Sequence, residues 1–375
     1  MKKKPLKQKK SKIIKTNKIN SLYIHIPFCN SICPYCDFPK LLKSTPFVEK
    51  YLKILLEELA SLKINHKLKT IYIGGGTPSA VPLKDLFVTL QKYISDETEF
   101  TVEVNPSDIR IDLLKEYKKY RVNRLSLGVQ STDDKILKIL GRNHSKKDVF
   151  NKIKLVKKYI PNFNIDLIYG FKELTIKKLE DELTDYLKLK PKHISTYSLE
   201  IHEGTKFHNE HRAEFSDAKI RNQFDIIYKR LTKARYVRYE TSNFALKNYE
   251  SQHNQVYWRD LEYYGIGLGA ASFINHYRIR NTRNMQNYLN KNFICEKEFI
   301  SKEDDKKYYM MLNLRTINGI KREDYSKRFG RDIYQEKKAI IDSLIVRKLL
   351  ILNKKYLITT YEGSMLLDII LRELF

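Results

Sequence analysis

The stretch at residues 21–38 reads SLYIHIPFCNSICPYCDF, in which an apolar segment runs directly into three closely spaced cysteines. Cys29, Cys33 and Cys36 have the spacing C-x3-C-x2-C. Three thiolates on one short loop can each bind one iron of a cubane 4Fe–4S cluster and leave the fourth iron without a protein ligand. A structural zinc site is the alternative, but it needs four ligands, and no fourth cysteine or histidine stands at suitable local spacing. The loop therefore predicts a 4Fe–4S cluster with one open iron.

Downstream of this loop, apolar strands alternate with amphipathic helices. The strands predicted after Ser21–Phe28 are Thr70–Ile73, Glu99–Val104, Arg124–Val129, Asn164–Tyr169 and His193–Leu199. Six β/α repeats with short connections predict an α/β fold whose parallel sheet curves into an open, partial (β/α)6 barrel, since a closed barrel needs eight strands. Between residues 200 and 290 the only regular pattern is a helix over Ser216–Ala234.

The predicted domain organisation has four regions. A basic, disordered tail covers residues 1–20, the barrel covers 21–235, and a barrel-flanking segment covers 236–300. Residues 301–375 are predicted to form a small C-terminal winged-helix-like α+β domain. Its hairpin is expected to turn at Asn353–Lys354, and its last helix is predicted over Glu362–Leu374. Modules of this kind either bind DNA or pack against a partner domain, and packing is the favoured interpretation.

The formal net charge of +27 raises the question of a nucleic-acid partner. Nine lysines and no acidic residues lie in residues 1–20, and the remaining +18 is spread over the chain. This distribution argues against a nucleic-acid partner, since scattered lysines on polar helix faces are typical of solvated surface. No apolar run reaches the roughly 18 residues of a membrane span. Together with three of the four cysteines lying within eight residues, this predicts a cytoplasmic protein without a transmembrane segment.

Polar residues recur where the predicted strands end. Gly74–Pro78 follows the second strand, Glu103, Gln130 and Asp166 lie at or near the ends of later strands, and Arg142 lies just beyond. Because the carboxyl ends of parallel strands meet at one edge of a sheet, these groups are expected to share a polar ligand. A tight turn at the glycines and structural hydrogen bonds at the polar residues are the alternatives.

A second candidate site lies at residues 253–258, which read HNQVYW and contain the sole tryptophan. Histidine is a common axial ligand of haem iron, and aromatic neighbours would shield a flat macrocycle. His253 is therefore a candidate haem ligand, with a structural histidine as the alternative.

Taken together, these residues resemble the radical SAM family of anaerobic coproporphyrinogen oxidases and their relatives. The matching runs are Leu22–Phe38, Gly74–Pro78, Glu103–Pro106, Gly128–Ser131, Asp166–Gly170 and Tyr197–Thr205. The resemblance extends from Ser21 to the C-terminus and implies S-adenosylmethionine (SAM) as a second cofactor. By position it implies cofactor contacts from Tyr23, Tyr35, Gly75, Gly76, Thr77, Glu103, Gln130, Arg142 and Asp166.

Two features distinguish branches of this family. Asp37 and Phe38 follow the last loop cysteine, where the oxidases typically continue with glycine and a further cysteine, and residues 253–258 resemble the HNxxYW signature of a haem-chaperone branch. The resemblance to that branch implies that the protein binds haem through His253 and passes it to acceptor haemoproteins. It also implies a reductant such as flavodoxin or ferredoxin, and it is compatible with a homodimer. Oxygen-independent coproporphyrinogen III oxidation is the alternative function, so the sequence leaves enzymatic activity open.

Overall fold

The structure is a computed structural model, and it describes residues 18–43, 46–213 and 215–375. The predicted tail over residues 1–20 lies almost entirely outside this range. In the described ranges the strands are β1 Ser21–Ile26, β2 Phe28–Cys29, β3 Leu41–Leu42, β4 Thr70–Gly75, β5 Glu99–Val104, β6 Arg124–Gln130, β7 Phe163–Tyr169, β8 His193–Ser198, β9 Val237–Arg238, β10 Asn243–Ala245, β11 Tyr264–Ile266, β12 Ala271–Ile274, β13 Tyr277–Asn281, β14 Ile294–Phe299, β15 Ile320–Lys321, β16 Leu350–Leu352 and β17 Tyr356–Thr359.

Helices connect most of these strands. The α-helices are α1 Val48–Ser61, α2 Lys84–Leu90, α3 Ile111–Lys119, α4 Asp134–Ile139, α5 Lys146–Tyr159, α6 Ile176–Leu189, α7 Lys206–Asn209, α8 Asp217–Lys233, α9 Gln252–Trp258, α10 Met285–Leu289, α11 Lys302–Asn313, α12 Arg322–Phe329, α13 Ile333–Glu336, α14 Lys338–Val346, α15 Tyr361–Met365 and α16 Leu367–Leu374. Short 3-10 turns cover Pro78–Ala80, Gln91–Tyr93 and Pro106–Asp108. None of the helices in the described part of the chain has the length and apolar character of a membrane span.

The main sheet confirms the predicted α/β barrel. Its strands lie in the order β11-β1-β4-β5-β6-β7-β8-β10-β9, and all neighbours from β11 to β8 are parallel. The six predicted strands are consecutive within it. Most of their residues are buried because helices cover the outer face and the barrel interior faces the other, which explains their nearly continuous apolar runs.

The sheet is wider than the sequence analysis expected. Strand β11 adds a parallel strand beside β1, while β10 and β9 add antiparallel strands beyond β8. All three come from residues 236–300, which were predicted only to flank the barrel. These strands are two or three residues long, too short for an alternating pattern to show in the sequence.

The C-terminal region has a hydrophobic cluster of its own, between Tyr309 and Leu374. Strands β16 and β17 form the predicted antiparallel hairpin, and β15 adds a third strand that was not predicted. The predicted last helix is divided in two by a break at Leu366. Arg328 of this region bonds Asp260 at 2.8 Å, which ties it to the segment that follows the barrel. The boundary at residue 301 stays a prediction.

Candidate cofactor cleft at the carboxyl edge of the barrel

A cleft of about 550 Å³ opens where the parallel strands end. The cysteine loop covers one side of it, and the segments that follow β4, β5, β6 and β8 form the others. Most of the predicted site residues line this cleft: Cys29, Cys33, Tyr35, Cys36, Gly75, Gly76, Thr77, Glu103, Gln130, Arg142 and Asp166. The parallel topology brings them together across more than 130 residues of sequence, as expected for the carboxyl edge of such a sheet.

The cysteine loop is held at its first and second cysteines. Its first residues pair with β3, and Cys29 is buried beside the Thr77 hydroxyl, at 3.5 Å from Oγ1 to Sγ. Arg142 Nη1 lies 3.3 Å from Cys33 Sγ. Burial raises the pKa of the Cys29 thiol, and burial raises that of Cys36 to about 11. Iron binding to these thiols would therefore release protons.

The donor set fits a cluster better than a single ion. In the described ranges no group of three or more His, Cys, Asp or Glu side chains is close enough to hold one metal ion. A cubane binds each thiolate through a different iron, so its donors stand apart around a larger body. All three loop thiols are free of disulfides and line the cleft, so they are available as ligands of a 4Fe–4S cluster.

The glycines after β4 let the backbone pass close to the loop. Gly75 has φ +115°, a conformation that side-chain-bearing residues rarely adopt, and a Cβ there would lie 2.6 Å from the His25 imidazole. A Cβ on Gly76 would lie 2.9 Å from Cys29 Sγ. Gly75 donates its N–H to Glu103 Oε2 at 3.0 Å, so the glycine turn and the end of β5 form one unit.

Two half-buried carboxyl groups face the cleft from neighbouring parts of the barrel. Tyr72 donates to Glu103 Oε1 at 2.8 Å, and Asn164 donates to Asp166 Oδ1 at 2.6 Å. Burial, with a smaller contribution from Asp166, raises the pKa of Glu103 to about 7. Burial raises the pKa of Asp166 to about 6. Both groups can accept hydrogen bonds from a cationic or hydroxylated ligand once they are ionised.

Gln130 and Arg142 complete the cleft with opposite hydrogen-bonding character. Gln130 has φ +69° at an irregularity in the β6–β7 pairing, and its buried Oε1 has no hydrogen-bond partner. Buried acceptors of this kind are rare, so this atom is available to a ligand. Arg142 is held by the Gly128 carbonyl at 2.6 Å and by Asn105.

Two predicted site residues lie elsewhere. Tyr23 does not line the cleft; its hydroxyl lies 3.0 Å from His25 Nδ1. His253 is 1% exposed and lies near the edge at which the parallel strands begin, here called the barrel floor. Its Nδ1 is 2.8 Å from Thr70 Oγ1 and its Nε2 is 2.8 Å from the Tyr257 hydroxyl, so neither ring nitrogen is free for iron. The structure thus gives His253 a structural position, which does not support the predicted haem contact.

Further residues line the cleft without having been predicted. Tyr72, Asn105, Lys40 and Tyr197 are among them. Tyr72 could have been found from alternation, because it lies two residues before Gly74 on β4 and so shares the inward face. Tyr197 could have been found as well, because it lies near the carboxyl end of the predicted strand His193–Leu199. Lys40 lies outside any regular pattern that would have assigned it to the cleft.

Comparison with known proteins agrees with this fold. Residues 23–185 match the family model of the Radical SAM superfamily. The structure of Escherichia coli coproporphyrinogen III oxidase (HemN), a radical SAM enzyme, superposes with a TM-score of 0.81 at 20% identity, covering 94% of this chain and 89% of that one. At that identity the match establishes the fold.

Proteins of similar sequence identify the family. Proteins named haem chaperone HemW are 37% identical in Lactococcus lactis over 92% of this chain and 94% of theirs, and 32% identical in Bacillus subtilis over 93% and 97%. The Escherichia coli protein of that name is 31% identical over 95% of this chain and 97% of its own. The chain therefore belongs to the HemW family of the radical SAM superfamily, which implies a 4Fe–4S cluster and SAM.

Proposed function

We propose that this protein is a cytoplasmic haem chaperone of the radical SAM type, which binds a 4Fe–4S cluster, SAM and haem and passes haem to acceptor haemoproteins. The observation that carries the proposal is the 31–37% identity to haem chaperones HemW over more than nine-tenths of the chain. The reductant, the homodimer and the lack of a nucleic-acid partner stay predictions.

The residues of the cleft divide between the two cofactors. Cys29, Cys33 and Cys36 would hold the cluster, which supplies electrons and one iron open to a small ligand when it is bound. The SAM contacts would come from the glycine turn with Glu103, and from the polar groups on later strands, with Gln130 offering its unpartnered oxygen.

Two charged groups of the chain stand at this site. Arg142 places a positive charge 3.3 Å from Cys33 Sγ, beside the middle cysteine of the loop. Glu103, with a pKa of about 7, holds a proton on part of the molecules at neutral pH. A cation such as an amino group bound beside it would lower that pKa.

Coproporphyrinogen III oxidation is the second candidate, favoured by the close fold match to HemN. Asp37 and Phe38 argue against it, because both line the cleft where the oxidases typically carry glycine and a further cysteine. An anaerobic assay with SAM and reductant that releases CO₂ from coproporphyrinogen in proportion to turnover would favour the oxidase.

The test of the chaperone function uses the full chain, purified and reconstituted without oxygen. We expect about four irons and four sulfides per chain in the wild type. The same is expected of Cys295→Ala, which removes the exposed thiol outside the loop, whereas a Cys29/Cys33/Cys36→Ala variant should carry neither iron nor sulfide.

Haem is then titrated into the wild type and followed in the Soret region, and the haem-loaded protein is mixed with an apo-haemoprotein. The chaperone proposal expects saturable binding and transfer faster than from free haem in the same buffer. Absence of saturable binding, or transfer at the rate of free haem, would contradict it.

A further inference from the structure

The positions of the histidines narrow the choice of a haem ligand. The chain has nine histidines, and all of them lie in the described ranges. His25, His193 and His253 are buried, and each has both ring nitrogens within hydrogen-bond distance of a partner. An imidazole in that state must lose a buried hydrogen bond before it can bind iron.

Of the nine, two line the cofactor cleft: His144 and His202. His144 is buried, and its Nε2 lies 3.1 Å from the Val129 carbonyl. Its ring is therefore part of the wall behind β6. His202 is exposed, and its nearest charged partner is Glu200, at 3.4 Å from Nε2 to Oε2.

The backbone of His202 is fixed although its side chain is exposed. Its carbonyl accepts from Thr205 N at 3.2 Å and from Thr205 Oγ1 at 2.6 Å. A few residues on, Phe207 donates its N–H to the Pro34 carbonyl at 3.0 Å. That bond ties the segment after β8 to the cysteine loop, so His202 stands at the cleft mouth next to the loop.

The same mouth carries large apolar side chains that the fold leaves uncovered. Phe38 is 61% exposed, Ile32 is 48% exposed and Tyr197 is 44% exposed, and all three line the cleft. Exposed apolar side chains around a cleft mark a ligand site more often than inert surface. Lys40 lines the cleft as well and offers a cation to a carboxylate.

These features match the chemistry of haem. A flat apolar macrocycle needs apolar side chains against its faces, a nitrogen ligand for iron and cations for its propionates. Iron-binding imidazoles usually have a carboxylate near their other ring nitrogen, as Glu200 is near His202. A ligand at the mouth also leaves the cleft interior to the cluster and SAM.

We propose that His202, at the mouth of the cofactor cleft, is the haem-iron ligand of this protein, with Phe38, Ile32 and Tyr197 against the macrocycle. The proposal rests on the haem-binding function proposed above. It assigns His253 to the framework of the barrel instead.

The test is a haem titration of the reconstituted full chain, read from the Soret band and from the electron paramagnetic resonance signal of ferric haem. His202→Ala should raise the haem Kd by at least about tenfold and lose the signal of a nitrogen-ligated iron, and added imidazole should restore that signal. His208→Ala is the matched control, because His208 is exposed on α7 close by but does not line the cleft. Its titration should equal that of the wild type.

Each outcome has a distinct meaning. If the wild type and His202→Ala bind haem with the same spectrum and affinity, the assignment of His202 is wrong while the haem-binding function stands. If the wild type binds no haem, the proposed function falls and the ligand with it. Loss of the nitrogen signal in His253→Gln but not in His202→Ala would return the ligand to the barrel floor.

Discussion

Replacing His253 with alanine should destabilise the barrel, because the imidazole is a buried link between two elements. It joins Thr70, at the start of β4, to Tyr257 on α9. Its ring also stacks on Tyr72, with 5.2 Å between the centroids. An alanine would leave both hydroxyls without this partner and open a cavity beneath Tyr72.

The size of the effect follows from these contacts. A buried hydroxyl that loses its partner costs about 1–3 kcal/mol, and large-to-small changes in a core cost about 2–5 kcal/mol. The two overlap, since a water that enters the cavity can bond the hydroxyls. We therefore expect His253→Ala to lower the free energy of unfolding by about 3–5 kcal/mol. His202→Ala, at an exposed position, should change it by less than about 0.5 kcal/mol.

The measurement is a urea titration followed by the fluorescence of Trp258, the sole tryptophan, which lies on the same helix as His253. A large fall in the urea midpoint for His253→Ala, with none for His202→Ala, is the expected result. An unchanged midpoint for His253→Ala together with lost haem binding would refute the structural role and restore the predicted ligand.

The pH dependence of the free energy of unfolding tests the same structural role of His253. Burial lowers the pKa of His253 from 6.5 to about 3. Below pH 6.5 the unfolded chain therefore binds a proton that the folded chain does not. The stabilisation from the neutral ring is fully present above pH 6.5 and is lost as the pH falls towards 3. The difference in midpoint between the wild type and His253→Ala should shrink over that window.

Three further changes test other parts of the barrel. Gly75→Ala would place a Cβ 2.6 Å from the His25 ring at φ +115°, so SAM affinity measured by equilibrium dialysis should fall; unchanged affinity would show that the turn can relax. Gln130→Ala removes the unpartnered acceptor, and SAM affinity should fall about tenfold with the urea midpoint unchanged; a fall in midpoint alone would mark Gln130 as structural. Burial raises the pKa of Glu182 from 4.5 to about 8, so the stabilisation from its neutral form is complete below pH 4.5 and is lost as the pH rises through 8. In Glu182→Gln, where this side chain stays neutral, the urea midpoint should change less between pH 5 and 9 than it does in the wild type. The same change of midpoint with pH in both proteins would contradict this pKa.

The barrel could be predicted because each of its strands can be recognised in the sequence independently of the others. Each parallel strand is buried on both faces and bounded by polar turns, so an apolar run suffices to find it. The helix predicted over Ser216–Ala234 is observed as α8, Asp217–Lys233, one residue shorter at each end. Strands β9, β10 and β11 could not be found this way, because their few residues become strands only through pairing with distant partners.

Part of the cleft could also be predicted, because once the strands are known the parallel topology brings their carboxyl ends together. Topology alone puts Glu103, Gln130 and Asp166 at one edge, and the structure places all three there. The pattern around His253 predicted chemistry instead of packing, because no sequence rule shows that Thr70 and Tyr257 occupy both of its nitrogens. His202 lies in the matching run Tyr197–Thr205, but nothing in the sequence placed its side chain at the cleft, because the segment is irregular and its position depends on the cysteine loop.

The location of the HNxxYW segment at the barrel floor still bears on the cleft, through strand β4. His253 bonds Thr70 at the start of this strand and stacks on Tyr72. Tyr72 donates a hydrogen bond to Glu103, and Glu103 also accepts one from the N–H of Gly75. Gly75 ends β4, roughly 17 Å along the six-residue strand from Thr70 at its start. A slip of β4 along its axis would therefore break the bond at the floor and the bonds of Glu103 in the cleft together. The segment can thus position the glycine turn without touching any ligand in the cleft.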